Sequence, residues 1–178
     1  MILPDQPRIV AYFCTNVICM KANIGISDKN KSAIAGVLNV LLADEHILYT
    51  KTRNYHWSYE GDNFMEMHKF YEGHYDELEE IIDAVAERIR MLGHYPEGRM
   101  KDFLKLTRLQ EQEYTTAQTE QVKNLLADHE SIIISIRKAI GDVNTTWNDA
   151  GTADFITGLM EQHEKMAWML RSYLEERV

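Results

Sequence analysis

The chain has 178 residues, 45% hydrophobic and 26% charged, with a net charge of −9. That is one domain with material for a sizeable core. The acidic balance argues against an obligate nucleic-acid binder, because phosphate contacts need clustered Lys and Arg, and suits a protein that attracts cations.

Residues 1–20 are mostly apolar from Ile9 to Met20, a run too short to span a bilayer and a poor signal peptide. They read either as an extension from an upstream start, with Met20-Lys21 as the alternative beginning, or as an ordered N-terminal segment. Cys14 and Cys19 give no disulfide framework. At five residues apart they would face about 140° apart on a helix, so two unpaired thiols are expected. With no recognisable export signal, a cytoplasmic location is expected. Residues 21–31 read as a short polar tail, which sets the expected division into a tail over 1–30 and one domain over 31–178.

A first long helix is predicted from about Lys31 to Trp57 or Ser58, with Ile34, Leu38, Leu41, Leu42 and Leu48 among its apolar positions. Gly61-Asp62 is the predicted turn. A second helix follows over 63–93, ending at a C-cap glycine, Gly93. Pro96 and Gly98 mark a crossover that holds a short helix, Met100 to Leu106. A third long helix is predicted from about Thr116 to Val143, then a linker over 144–151, and a fourth from Thr152 to about Glu176. Two long helices, a crossover with a short helix, and two more long helices define an all-α, ferritin-like four-helix bundle.

The most informative residues are five donors: His56, His68, Glu72, Asp83 and Glu87, spaced 12, 4, 11 and 4 residues apart. Two nitrogen and three oxygen donors suit iron better than a soft-metal site. On a helical wheel with His68 at zero, Glu72, Asp83 and Glu87 fall at roughly 40°, 60° and 100°. Phe70, Tyr71, Leu78, Ile81, Ile82, Val85, Ile89 and Leu92 occupy a separate core stripe. His68 and Glu87 are about 28 Å apart along the axis, and Glu72 and Asp83 about 16 Å. Metal–ligand bonds are only about 2 Å long, so one helix cannot bring both halves to one ion. The pairs 68/87 and 72/83 share a midpoint near residue 77.5. An antiparallel pairing of this helix with its own copy would bring 68/72 of one chain towards 83/87 of the other, an isologous contact. Two identical metal sites at a dimer interface are therefore expected. The competing reading, an acidic solvated face, is supported by Asp76, Glu79 and Glu80 nearby. His46, His74, His94, His129 and His163 read as surface or hydrogen-bonded core residues. None of the seven histidines has Glu three residues before it, which disfavours the Glu-x-x-His di-iron site of larger ferritins.

The stretch from Asn54 to Gly93 resembles the signature region of the Dps family, ferritin-like miniferritins. The matching features are His56-Trp57, Gly61-x-x-Phe64-x-x-x-His68, Glu72 and Asp83-x-x-Ala86-Glu87-Arg88, with Thr152-Ala153-Asp154 and Trp168 near the C-terminus. The resemblance covers about residues 33–176; Glu72 departs from it, since many members carry Asp there. It implies that His56, His68 and Glu72 come from one subunit and Asp83 and Glu87 from its two-fold mate. It also implies a hollow dodecamer in which hydrogen peroxide oxidises bound Fe(II) and Fe(III) is stored as mineral. Trp57, with Tyr55 and Tyr59, would lie close to the iron and take up an oxidising equivalent, or be packed aromatics at a helix end. Asp149 and Asp154 would line a three-fold pore, or else cap the last helix.

The main expectation is thus a ferroxidase and iron store protecting DNA and cell. The alternative from the same family is a DNA-compacting, nucleoid-associated protein. Members that bind DNA use a flexible basic tail, and the tail here is weakly basic. A ferritin-like bundle with a dead site is the third reading.

Overall fold

The computed structural model describes residues 22–174. Cys14, Cys19, the Met20-Lys21 alternative start and the predicted last-helix turn beyond 174 lie outside the described residues. The elements are α1 (Asp28–Ser58), α2 (Phe64–Met91), α3 (Met100–Leu106), α4 (Gln118–Gly141) and α5 (Ala150–Ser172), with a π-helical turn at Asp142–Thr146. Among the described residues there is no strand. α1 packs along α2 and α4 along α5. Contacts of α1 with α4 and of α2 with α5 close the bundle, and α3 lies against α1. This is the ferritin-like arrangement, two helical hairpins joined by a long crossover.

The element ends have identifiable causes. α1 begins at Asp28, inside the segment read as a polar tail. The Ser27 side chain caps it by accepting from the Asn30 N–H at 3.2 Å. Lys31 is buried, its Nζ donating to the Ala22 carbonyl at 2.7 Å and pairing with Asp28 at 2.9 Å. The polar pattern concealed these local bonds. α2 ends in a Schellman motif: the Gly93 N–H reaches Arg90 O at 2.9 Å and the His94 N–H reaches Ile89 O at 3.2 Å. Gly93 takes φ +84°, as the motif requires. α4 runs on into the π-helical turn where a linker was expected. The reversal is completed by Asn148 at φ 55°, a conformation Asn tolerates better than most residues.

The core is a continuous apolar cluster drawn from all four long helices, including Leu38, Leu42, Tyr71, Leu78, Ile89, Leu125, Ile132, Ile156 and Leu170. By length and composition α1 could cross a membrane, yet its apolar side is buried in the bundle. Two buried carboxylates fix the crossover to α1 and α4. Asp44 accepts from Thr107 Oγ1 at 2.9 Å, the Arg108 N–H at 2.7 Å and the Arg108 guanidinium. Asp128 accepts from Lys51, whose ammonium also holds the Gln110 carbonyl. Removing one partner of the Lys51–Asp128 pair, buried on both sides, costs about 3–5 kcal/mol.

Candidate metal centre

The antiparallel α1/α2 hairpin sets His56, in the last turn of α1, beside His68, in the second turn of α2. Their rings stack at 3.6 Å with 21° between planes. His56 Nδ1 lies 2.8 Å from the His68 carbonyl, and His68 Nδ1 lies 2.9 Å from the His56 carbonyl. A carbonyl only accepts, so both Nδ1 atoms carry the proton and donate. In a neutral ring with its proton on Nδ1, Nε2 keeps its lone pair, and that is the tautomer a metal-ligating imidazole uses, held by its hydrogen bond to the backbone. Phe64 also stacks on His68, at 5.1 Å, and Tyr75 meets His56 edge-on at 5.2 Å.

Glu72, Asp83 and Glu87 are all exposed on α2, outside the core stripe. Tyr71, Leu78, Ile81, Val85, Ile89 and Leu92 are buried as expected, while Phe70 and Ile82 are half-buried at the margin. Met67 and His74 join the buried face; neither was read into the stripe, because a Met in a polar run and a lone His carry little pattern. Among the described residues no three His, Cys, Asp or Glu side chains of one chain meet at a point. The His pair and the Asp83/Glu87 pair stand at opposite ends of α2, as the axial arithmetic requires.

The aromatics divide. Trp57 is 64% exposed beside the His pair. Tyr55 and Tyr59 are buried, in roles closer to packing than to the site: Tyr55 Oη accepts from Asn124 at 2.9 Å, and Tyr59 bonds to Asn63. The aromatic beside His56 is Tyr75, which sequence reading missed. The Arg53 guanidinium lies 5.6, 5.4 and 5.0 Å from the Tyr49, Trp57 and Tyr75 rings. The available signal was the i, i+4 spacing of Tyr49, Arg53 and Trp57 on one helix face.

Asp149 and Asp154 have different settings. Asp149 is buried and caps α5, accepting from the Thr152 N–H at 2.9 Å and from the Thr152 hydroxyl. Arg88 joins it, with Nη2 at 3.4 Å from Asp149 and Nε donating to Thr152 Oγ1 at 3.0 Å. The Ala86-Glu87-Arg88 and Thr152-Ala153-Asp154 motifs thus touch, and part of their joint presence is a helix-to-helix clasp. Asp154 is exposed and borders a shallow cavity with Glu80 and Gln162.

Two helical hairpins joined by a long crossover define a ferritin-like protein, and the ferritin-like domain family matches residues 36–178. A low temperature-induced protein of Nostoc sp. is 45% identical over 156 residues, 87% of each chain. DNA protection during starvation protein 2 of Bacillus anthracis is 34% identical, covering 83% of this chain and 99% of that one. The structure superposes on Dps from Vibrio cholerae, described as belonging to the ferritin-like diiron-carboxylate superfamily, with TM-score 0.82 and 28% identity over 90% of this chain and all of that one. Dps from Thermosynechococcus elongatus gives TM-score 0.79 at 28% identity over 84% and 94%. The chain belongs to the Dps family. Membership places it among the ferritin-like proteins that sequester iron and protect DNA.

Proposed function

We propose that this chain oxidises Fe(II), with hydrogen peroxide as the preferred oxidant, at two identical sites in a two-fold dimer, and stores Fe(III) inside a twelve-subunit shell. The observation that carries this reading is the reciprocal His56–His68 clasp. It fixes two imidazoles through their Nδ1 atoms, so that Nε2 of each is the nitrogen left to bind a metal, with exposed Glu72 one turn after His68 and Asp83 and Glu87 exposed at the far end of the same helix. Pairing α2 with its copy joins the two halves. Exposed Trp57, Phe64 and Met65 at the His end of the hairpin give that pairing an apolar margin to cover.

Fe(II) is the substrate. The two neutral imidazoles supply nitrogen donors and the three ionised carboxylates neutralise its charge. Each of two Fe(II) ions gives up one electron. Together they reduce one hydrogen peroxide, with two protons, to two waters. Reduction in one two-electron event avoids releasing hydroxyl radical. Carboxylate donors favour Fe(III) as the product and leave coordination positions open for the oxidant. Trp57 and Tyr75 stand where they can take up a stray oxidising equivalent. Exposed Asp154 lines the entry pore, whereas Asp149 acts by capping α5. An acidic pore draws cations inward.

The test is anaerobic Fe(II) oxidation on addition of hydrogen peroxide, followed optically, for the wild type and Asp83→Ala. Fast oxidation to a soluble Fe(III) product, lost in the variant, is expected. No acceleration over buffer in the wild type removes the ferroxidase reading. Mixing His68→Ala with Asp83→Ala chains after subunit exchange should restore one of the two sites in each heterodimer, and no recovery removes the shared-site geometry.

A further inference from the structure

Arg53, on the side of α1 that packs along α2, is a fixed cation that makes no ion pair among the described residues. Its Nη1 donates to Tyr49 Oη at 2.7 Å. Its Cζ lies over three rings, those of Tyr49, Trp57 and Tyr75, at 5.6, 5.4 and 5.0 Å from their centroids. Glu79 acts on it through space without a contact, and its Nε is shut away from water with no acceptor. A guanidinium carries five N–H donors in one plane. Here the rings and the phenol hydroxyl hold that plane in place and leave over the fork formed by Nε and Nη2. That fork fits the two oxygens of a carboxylate. Because the rings already fix the side chain, docking a carboxylate there gives up little rotamer freedom.

The place of this cage says where the carboxylate comes from. Tyr75 stands close to residue 77.5, the midpoint shared by the donor pairs 68/87 and 72/83. Residues 75 and 80 share that midpoint too. The antiparallel pairing of α2 that joins the two halves of the iron site therefore sets Glu80 of the partner subunit level with Tyr75 and Arg53. On the wheel with His68 at zero, Tyr75 falls at about 340° and Glu80 at about 120°. Both stand about 70° from the line that faces the partner, and a two-fold brings them to the same flank of the contact. Glu80 is exposed and, among the described residues, pairs with no cation. Charge makes such a contact necessary. Glu72, Asp76, Glu79, Glu80, Asp83 and Glu87 are all exposed on α2. The same midpoint sets Asp76 opposite Glu79 of the partner subunit, like charges facing across the two-fold. Like charges across an interface oppose association unless cations lie among them, and two fixed guanidinium groups, one from each chain, supply them.

Resting on the two-fold pairing proposed above, we propose that Arg53 recognises the second copy of this chain. Its guanidinium receives the carboxylate of Glu80 of the partner subunit, twice in each dimer. The contact fixes the register in which His56, His68 and Glu72 of one chain meet Asp83 and Glu87 of the partner subunit. A slip of one helical turn, about 5.4 Å, would carry the two halves of the site beyond the reach of metal–ligand bonds of about 2 Å.

The test is charge reversal in the whole, metal-free protein, with the assembly state read by native mass spectrometry and by sedimentation at low salt. Arg53→Glu alone and Glu80→Arg alone each set like charges at both contacts. Each should weaken two-fold pairing by about tenfold or more, read from the dissociation midpoint on dilution. Mixed, the two variants place opposite charges at both contacts of a heterodimer. Mixed dimers should form selectively, with pairing restored to within a few fold of the wild type. Pairing unchanged by either reversal, or no preference for mixed dimers, overturns the proposal. Should Arg53→Glu prevent folding, as read by circular dichroism, Glu80→Arg and Arg53→Gln carry the test: both must weaken pairing, and wild-type pairing in either overturns it. Wild-type protein that forms no two-fold pair overturns this proposal together with the shared-site reading, whereas an intact pair that ignores these charges removes only the role of Arg53.

Discussion

Single side chains here are set by partners far away in sequence. His56 and His68 could be proposed as donors from their spacing, but the mutual ring-to-carbonyl contacts that fix their orientation could not be read there. Asp149 and Asp154 looked equivalent, and burial separated them. Asp149→Ala removes a helix cap and strands Arg88, so it should lower stability by about 1–3 kcal/mol, read from urea unfolding, with little effect on Fe(II) binding. Asp154→Asn should leave stability unchanged and slow iron uptake. Burial, helped by Lys165, pushes the His74 pKa down to about 4 from 6.5. A depressed histidine pKa means that the unfolded chain takes up its proton first. The stability is complete above about pH 6.5 and drains away as pH falls towards 4. At 1.36 kcal/mol per pKa step, His74 alone accounts for roughly 3 kcal/mol by pH 4. Thermal unfolding of metal-free protein between pH 7 and 4 should show this loss, and His74→Phe should flatten it.

At the scale of elements, hydrophobic period and punctuation located all five helices. Two ends departed from expectation: α1 starts at Asp28 inside the segment read as a tail, and α4 widens into a π-turn in place of a linker. The Gly93 cap is legible in sequence because the left-handed position after a helix favours glycine so strongly. Gly93→Ala should cost about 1 kcal/mol and lower Tm by a few degrees in a thermal scan, with the Ala22 Cβ only 3.3 Å from the added methyl. The core stripe of α2 was readable for Leu78, Ile81, Val85 and Ile89. His74 escaped it, because a polar residue on an apolar face gives no sign of what it will meet.

The whole molecule carries a net charge of −9, and this bears on the choice between iron storage and DNA compaction. In a gel-retardation series, retardation of duplex DNA should be weak at low salt and absent at moderate salt, because phosphate contacts release counterions and weaken steeply with ionic strength. Retardation that persists at moderate salt would move DNA compaction ahead of ferroxidase activity as the main role.

The sequence by itself determined the helices, the bundle class and the family, and it marked out the five proposed donors, because periodicity, caps and ligand spacing are local properties of a chain. It also excluded a single-chain site, since the rise of a helix fixes how far apart its residues stand. Only the tertiary structure decided the His56–His68 clasp, the capping role of Asp149 and the place of Tyr75. All but the local Asp149 cap join residues from different helices, and helix packing sets which side chains come within hydrogen-bonding distance; for Asp149 it was burial that separated it from Asp154.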